Sequence, residues 1–204
     1  MLADLAHNFV FKHRGIWISG AFIGAIDGTI LWRERPIDDH WQHTNYNGKV
    51  CMPASKQLYV QLFDGTITAA LVNFVGLMHD AKMCSILRLH EAMQHLPADF
   101  VVAADSAFGT SARIVHSLTE TEYQSLSPAD SARYAECANV LSVLRVTSEW
   151  AVGGPREVFQ VLSNKVASDD LDVGWIIWEV CSRMMNVRVR KMGKGQTYNT
   201  FCQE

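Results

Sequence analysis

Asp64-Gly65 lies between two runs that are rich in apolar and β-branched residues. An Asp-Gly pair in such a setting indicates a tight hairpin turn, because both residues tolerate positive backbone φ angles. The segment 55–76, SKQLYVQLFDGTITAALVNFVG, therefore predicts two antiparallel strands joined by this turn.

Two further segments predict buried strands that carry a carboxylate. Residues 21–31, AFIGAIDGTIL, are apolar on both sides of a single acid, Asp27. Residues 99–105, DFVVAAD, form a short apolar run that ends in Asp105, as expected of a buried strand whose carboxyl end opens onto a site. We take these segments as the first and fourth strands.

Three helices complete the predicted order of elements. Residues 81–96 place apolar side chains at helical spacing, and Pro97 stops the run. A second helix starts at the capping residue Ser127, continues to about Trp150 and ends at 153–155, Gly-Gly-Pro. The third covers about 170–186, with the following side chains predicted to face inward: Val173, Ile176, Ile177, Val180, Met184 and Met185.

The resulting order, β-β-β-α-β-α-α, predicts an α/β RNase H-like fold, a mixed β-sheet flanked by helices. The chain has 204 residues, which suits one well-buried domain. We divide it into an N-terminal segment, 1–20, and an RNase H-like domain, 21–204, with a basic C-terminal end.

Composition excludes several classes of protein. Five scattered cysteines without a CxxC pair disfavour a disulfide scaffold and a structural zinc site. No apolar run has the roughly 18 residues of a membrane span. Residues 1–8 lack the basic start of a secretory signal, so we expect a reducing intracellular compartment and no membrane.

Asp27, Asp105 and Glu149 are the candidate catalytic residues. In an RNase H-like sheet the first and fourth strands are neighbours and the later helix packs across them, so the three carboxylates can meet. Such a group suits two Mg²⁺ or Mn²⁺ ions about 3.5–4 Å apart, which assist in-line displacement at phosphorus. Simpler interpretations stay open: a turn or bulge residue for Asp27, a loop cap for Asp105, and a solvated helix residue for Glu149.

Asp80 precedes a predicted helix in the segment GLMHD and has two interpretations. It is either the N-cap of that helix or an auxiliary acid beside the metal site, with His79 orienting it or a substrate phosphate.

The net charge of −3 is unfavourable for a protein that binds DNA through phosphate contacts. Metal ions can supply positive charge where DNA approaches the acids. A basic cluster near the C-terminus can supply more, although a solvated helix end is the alternative: Arg183, Arg188, Arg190, Lys191 and Lys194.

Seven segments together resemble the DDE endonuclease domain of PIF/Harbinger transposases over residues 23–201. They are IDGTI at 26–30, YNGK at 46–49, FDGTI at 63–67, GLMHDA at 76–81, VVAADSAF at 101–108, RVTSEWAVG at 145–153 and NVRVRKMGKGQ at 186–196. The resemblance implies that Asp27, Asp105 and Glu149 form the catalytic triad and that Asp80 is a further metal-binding acid. It also matches Arg145 to a basic residue one helical turn before the glutamate.

The resemblance implies metal-dependent cleavage of double-stranded DNA at transposon ends, followed by attack of the freed 3′ hydroxyl on target DNA. It further implies a nuclear location, a separate Myb-like DNA-binding partner and a homo-oligomer that joins two transposon ends. The residues before Ala21 show no helix-turn-helix pattern, which is compatible with a fragment of a longer transposase. The alternative is a domesticated or decayed transposase that serves as an inactive DNA- or protein-interaction module.

Overall fold

The computed structural model describes residues 22–109, 111–166 and 171–192. The predicted boundary after residue 20, and Lys194, lie outside the described residues. The strands are β1 (Phe22–Trp32), β2 (Tyr46–Asn47), β3 (Met52–Leu62), β4 (Ile67–Val75), β5 (Val101–Ala104) and β6 (Ile114–His116). The α-helices of the described part are α1 (Asp39–Asn45), α2 (Asp80–Ile86), α3 (Leu89–Gln94), α4 (Glu120–Gln124), α5 (Pro128–Val158) and α6 (Leu171–Met192).

The predicted hairpin is confirmed, because β3 and β4 are antiparallel. Gly65 turns the chain with a φ of 91°, and the Asp64 carboxylate accepts a hydrogen bond from the Thr66 amide at 2.7 Å. β3 also pairs antiparallel with β1, and β1 pairs parallel with β5, which is parallel to β6. The mixed sheet with flanking helices expected of an RNase H-like fold is therefore confirmed.

Both faces of the sheet are buried. Consecutive strand residues point to opposite faces, and Leu58 and Tyr59 of β3 accordingly belong to two different core clusters. Met83 of α2 packs in the cluster of Leu58, whereas Trp178 of α6 packs in the cluster of Tyr59. These two layers hold the central strand β1 rigidly from both sides.

The single helix predicted over 81–96 is wrong in one respect, because the structure divides it into α2 and α3. Arg88 has a φ of 50°, in the left-handed region, and interrupts the helix. The break lets Met83 of α2 and Leu89 and Met93 of α3 enter the same core cluster. Packing of apolar side chains from both short helices into the core therefore outweighs the continuous helical spacing of the sequence.

The predicted end of the long helix is also wrong, because α5 runs through 153–155 to Val158. Pro155 is buried inside the helix, where it lacks an N–H donor and would ordinarily break it. Tertiary contacts compensate. Arg156 donates a hydrogen bond to the Ile30 carbonyl of β1, and Gly154 lies close to Met185 of α6.

Gly153→Ala tests this helix boundary. A Cβ at Gly153 would meet no other atom within 4 Å, and the residue does not have a positive φ. Alanine should raise the free energy of unfolding by about 0.5–1 kcal/mol, because glycine loses more backbone entropy in a helix. A urea titration measures the change. A loss of stability would indicate that the helix ends at this glycine after all.

The predicted inward face of α6 is largely wrong. Val173, Ile176, Val180 and Met184 are exposed, whereas Ile177 and Met185 are partly buried as expected. The face against the sheet is formed instead by Gly174, Trp178, Cys181, Ser182 and Val189. Apolar residues occur on both sides of this helix, so hydrophobic spacing alone does not identify the buried side.

Several short elements were not predicted: α1, β2, β6 and α4. Each has seven residues or fewer and carries little periodicity. Within the described ranges, no helix has the length and apolar character needed to cross a lipid bilayer.

Candidate active site

Asp27 lies in the middle of β1, opposite Tyr59 of β3. Its side chain accepts a hydrogen bond from the Gly28 amide at 2.7 Å. A residue within a continuous strand pairing is not a turn residue, so the simpler interpretation of Asp27 as a turn or bulge is wrong. The aspartate is held rigidly in the best-supported strand of the sheet.

The pKa of Asp27 is raised from its ordinary 3.8 to about 6. Burial of the carboxyl is the largest cause, and the hydrogen bond from Gly28 acts in the opposite direction. Repulsion by the negative charges of Asp105, Glu149 and Asp80 raises it further. The structure therefore brings the four sequence-predicted acids within electrostatic reach of one another.

Asp105 follows the last residue of β5, the strand that is parallel to β1. Its Oδ1 accepts hydrogen bonds from the Ser106 amide at 2.6 Å and from the Ser106 hydroxyl at 3.2 Å. The capping interpretation is therefore correct, and the cap fixes the carboxylate at the end of the strand. Capping and metal binding are compatible because both of these hydrogen bonds use one of the two oxygens.

Glu149 lies on α5, the helix that packs against β1 and β5. Its side chain is exposed, yet its charge acts on Asp27 across the helix-sheet contact. Arg145 lies one turn earlier on the same helix, and its side chain falls outside the described part of the structure.

Asp80 is the first residue of α2, and His79 occupies the N-cap position without a side-chain hydrogen bond. The interpretation of Asp80 as an N-cap is therefore wrong. Its Oδ1 lies 3.1 Å from the Nζ of Lys56 on β3. A Cβ on Gly28 would lie 3.5 Å from the same oxygen, so Asp80 rests against the residue that follows Asp27.

The acid cluster has the donor chemistry of a site for a hard divalent cation. Within the described part of the chain, no three Asp, Glu, His or Cys side chains lie as close together as the ligands of one ion do. Mg²⁺ typically uses one or two carboxylates and completes its octahedron with water and substrate phosphate. The residues fit such an ion, because a bound cation would favour the ionised form of Asp27, whose pKa burial and its acidic neighbours raise.

A pocket of about 250 Å³ adjoins Asp80 and Gly28. Its wall combines parts of the segments YNGK and GLMHDA with Lys56 of β3. Our sequence reasoning did not assign a function to Lys56. Its signal was the polar run Ser55-Lys56-Gln57 inside a strand whose other residues are mostly apolar.

The described residues of the predicted basic cluster lie on a helix that carries none of the four acids. Arg188, Arg190 and Lys191 are exposed in the last turns of α6, a helix that packs against β4. Asn186 anchors that helix by exchanging hydrogen bonds of 2.8 Å with the backbone of Ile67.

Comparison with known proteins assigns the family of the chain. The family model of the DDE superfamily endonuclease matches residues 26–186, which include Asp27, Asp80, Asp105 and Glu149. No curated protein and no solved structure matches the chain. Because the family model covers most of the sequence and all four converging acids, the chain belongs to the DDE superfamily endonuclease family.

Proposed function

We propose that the protein is a Mg²⁺- or Mn²⁺-dependent DNA endonuclease of the PIF/Harbinger transposase type. It cleaves phosphodiester bonds at transposon ends in double-stranded DNA and supports strand transfer. The observation that carries the proposal is that Asp27 in β1, Asp105 just after β5 and Glu149 on α5 come close enough for the charges of the other two acids to raise the pKa of Asp27. Acids converge in this way at sites built to bind cations.

Asp27, Asp105 and Glu149 are the proposed metal ligands, with Asp80 as an additional acid. When bound, two divalent ions would neutralise phosphate charge and support both the attacking and the leaving oxygen. Asp27 lies in β1 and Asp105 directly follows the neighbouring parallel strand β5, so the sheet positions both carboxylates before DNA binds. Glu149 contributes its charge from the helix that packs against both strands.

The partners that we propose are double-stranded DNA, a Myb-like DNA-binding protein and a second copy of the chain, in the nucleus. The net charge of −3 supports a need for a separate DNA-binding protein. Arg145, Arg188, Arg190, Lys191 and Lys194 are proposed phosphate contacts. Light scattering after size exclusion, with and without DNA, tests self-association, and a strict monomer in both would contradict it.

One observation favours a second candidate, an inactive interaction module descended from a transposase. Glu149 is exposed, and the described acids do not reach the spacing of ligands around one ion. The module would bind DNA or protein without turnover.

Cleavage of supercoiled plasmid by the purified protein separates the two candidates. With Mg²⁺ or Mn²⁺ we expect nicked circles, with none in EDTA. Asp105→Ala should reduce the nicking rate by about a thousandfold, because metal ions contribute several kcal/mol of transition-state stabilisation. Asp99→Ala, an exposed acid before β5, is the matched control and should nick as the wild type does. Absence of nicking under all these conditions would favour the inactive module.

A further inference from the structure

The pocket beside Asp80 has cationic walls. Lys49, Lys56 and His79 line it together with backbone of β1 at Gly28, Thr29 and Ile30. Asp80 is the one acid among its lining residues. Two lysines against one aspartate leave the lining with an excess of positive charge, which suits an anionic ligand.

The turn that carries Lys49 is held in place by hydrogen bonds of the buried Asn47 side chain. Asn47 is 4% exposed, and its Nδ2 donates a hydrogen bond of 2.9 Å to the Gly76 carbonyl. Its Oδ1 accepts a hydrogen bond of 3.0 Å from the Lys49 amide. The buried side chain of Asn47 thus ties the backbone of Lys49 to that of Gly76, another residue of the pocket lining.

The backbone of Gly76, which lines this pocket, is packed closely against neighbouring backbone. A Cβ on Gly76 would lie 2.3 Å from the Asn45 carbonyl oxygen and 2.7 Å from that of Ala54, so only glycine fits there. A Cβ on Gly48, in contrast, would meet no atom within 4 Å. Gly76 is therefore packed against neighbouring backbone, whereas Gly48 borders open space on the lysine-bearing turn.

The two lysines are not equivalent. Lys56 is mostly buried, with 18% of its side chain exposed, and it pairs with Asp80. Lys49 is exposed, and the described residues give it no carboxylate partner. Lys49 is the cation that an incoming anion can reach without displacing an ion pair.

We propose that this pocket binds a backbone phosphate of the DNA strand, next to the phosphate that is cleaved, with Lys49 as the principal contact. A phosphodiester carries the negative charge that a lining with an excess of lysines attracts. Gly28 lies both in the pocket wall and next to Asp27, so one strand can occupy the pocket and the acid cluster together. The inference rests on the proposed function for the identity of the ligand as DNA.

DNA binding in Ca²⁺, measured by fluorescence anisotropy with a labelled 20-base-pair duplex, tests the pocket without relying on cleavage. Lys49→Gln should weaken binding about tenfold, since a hydrogen bond to a charged group is lost. It should also reduce the slope of log K against log salt by about 1, the value for one phosphate contact. Lys49→Arg should restore most of the affinity. Lys82→Gln, an exposed lysine of α2 that does not line the pocket, is the matched control.

Wild-type affinity and slope for Lys49→Gln would overturn the inference, as would an equal loss for Lys82→Gln. Calorimetric titration with inorganic phosphate separates the two sources of the anion. Tight binding of phosphate alone that disappears in Lys49→Gln would assign the pocket to a free phosphate and overturn the DNA assignment. Metal-dependent nicking together with Lys49-independent binding would leave the proposed function intact and reject this subsite. If Lys49→Gln weakens DNA binding as expected but the wild-type protein never nicks DNA, the subsite is supported and the proposed nuclease activity is rejected.

Discussion

Asp27→Asn should reduce metal-dependent nicking by about a thousandfold and, at the same time, stabilise the metal-free protein at pH 7. Loss of cleavage follows because asparagine removes a negatively charged oxygen ligand from the proposed cation site. Gain of stability follows because the folded protein holds a mostly buried carboxylate near three other acids. The same residue would then favour catalysis and oppose folding.

The dependence on pH follows from the raised pKa of Asp27. The carboxyl ionises near its ordinary 3.8 in the unfolded chain and at about 6 in the folded one. As pH rises from about 4 to 6, the unfolded chain releases this proton first, so the free energy of unfolding falls. The penalty is complete above about pH 6, where it amounts to about 2–3 kcal/mol.

Urea titrations of the metal-free protein at pH 4 and pH 7 measure this effect. Asp27→Asn should unfold with a free energy about 2 kcal/mol above that of the wild type at pH 7 and close to it at pH 4. Asp99→Asn, at an exposed site, should follow the wild type at both values. If the stability difference between Asp27→Asn and the wild type is the same at pH 7 and at pH 4, the carboxylate of Asp27 does not destabilise the folded protein.

Trp178→Ala should destabilise the protein by about 3–5 kcal/mol, the usual cost of truncating a large buried aromatic residue. Trp178 is fully buried on α6, and the centroid of its ring lies 5.3 Å from the centroid of the Tyr59 ring on β3. Tyr59 pairs with Asp27 across β1 and β3, so this layer supports the strand that carries the active-site acid. We therefore expect that any loss of nicking in Trp178→Ala results from loss of the fold.

Trp175→Ala provides the matched comparison on the same helix. Trp175 is 47% exposed, three residues before Trp178, and its truncation should change the free energy of unfolding by less than about 1 kcal/mol. Thermal denaturation of both variants measures the difference. Equal destabilisation by the two substitutions would show that α6 buries a different face from the one described.

The central part of the fold was predictable because its signals are local. The Asp64-Gly65 turn, the apolar run around Asp27 and the short strand before Asp105 each combine a composition signal with a clear boundary. The end of α5 was not predictable in this way. Arg156 and Gly154 hold the helix together through contacts with β1 and α6, which local helix propensity does not include.

The candidate site was predictable only in part. Asp27 and Asp105 follow from the order of strands, because a parallel pairing of β1 and β5 brings them to neighbouring positions. The ion pair of Lys56 with Asp80 and the pocket around Lys49 depend on how loops distant in sequence meet. Hydrophobic periodicity in the sequence does not predict which loops come into contact.

Plasmid nicking by Glu149→Gln, beside Glu157→Gln, tests most directly whether acids from two strands and a helix form one cation site. Both glutamates are exposed on α5, but Glu149 is one of the acids whose charge raises the pKa of Asp27, and Glu157 is not. We predict that Glu149→Gln loses about a thousandfold of its Mn²⁺-dependent nicking and that Glu157→Gln keeps the wild-type rate. Wild-type nicking by Glu149→Gln would contradict the account, because the helix acid would then be a solvated side chain outside the site.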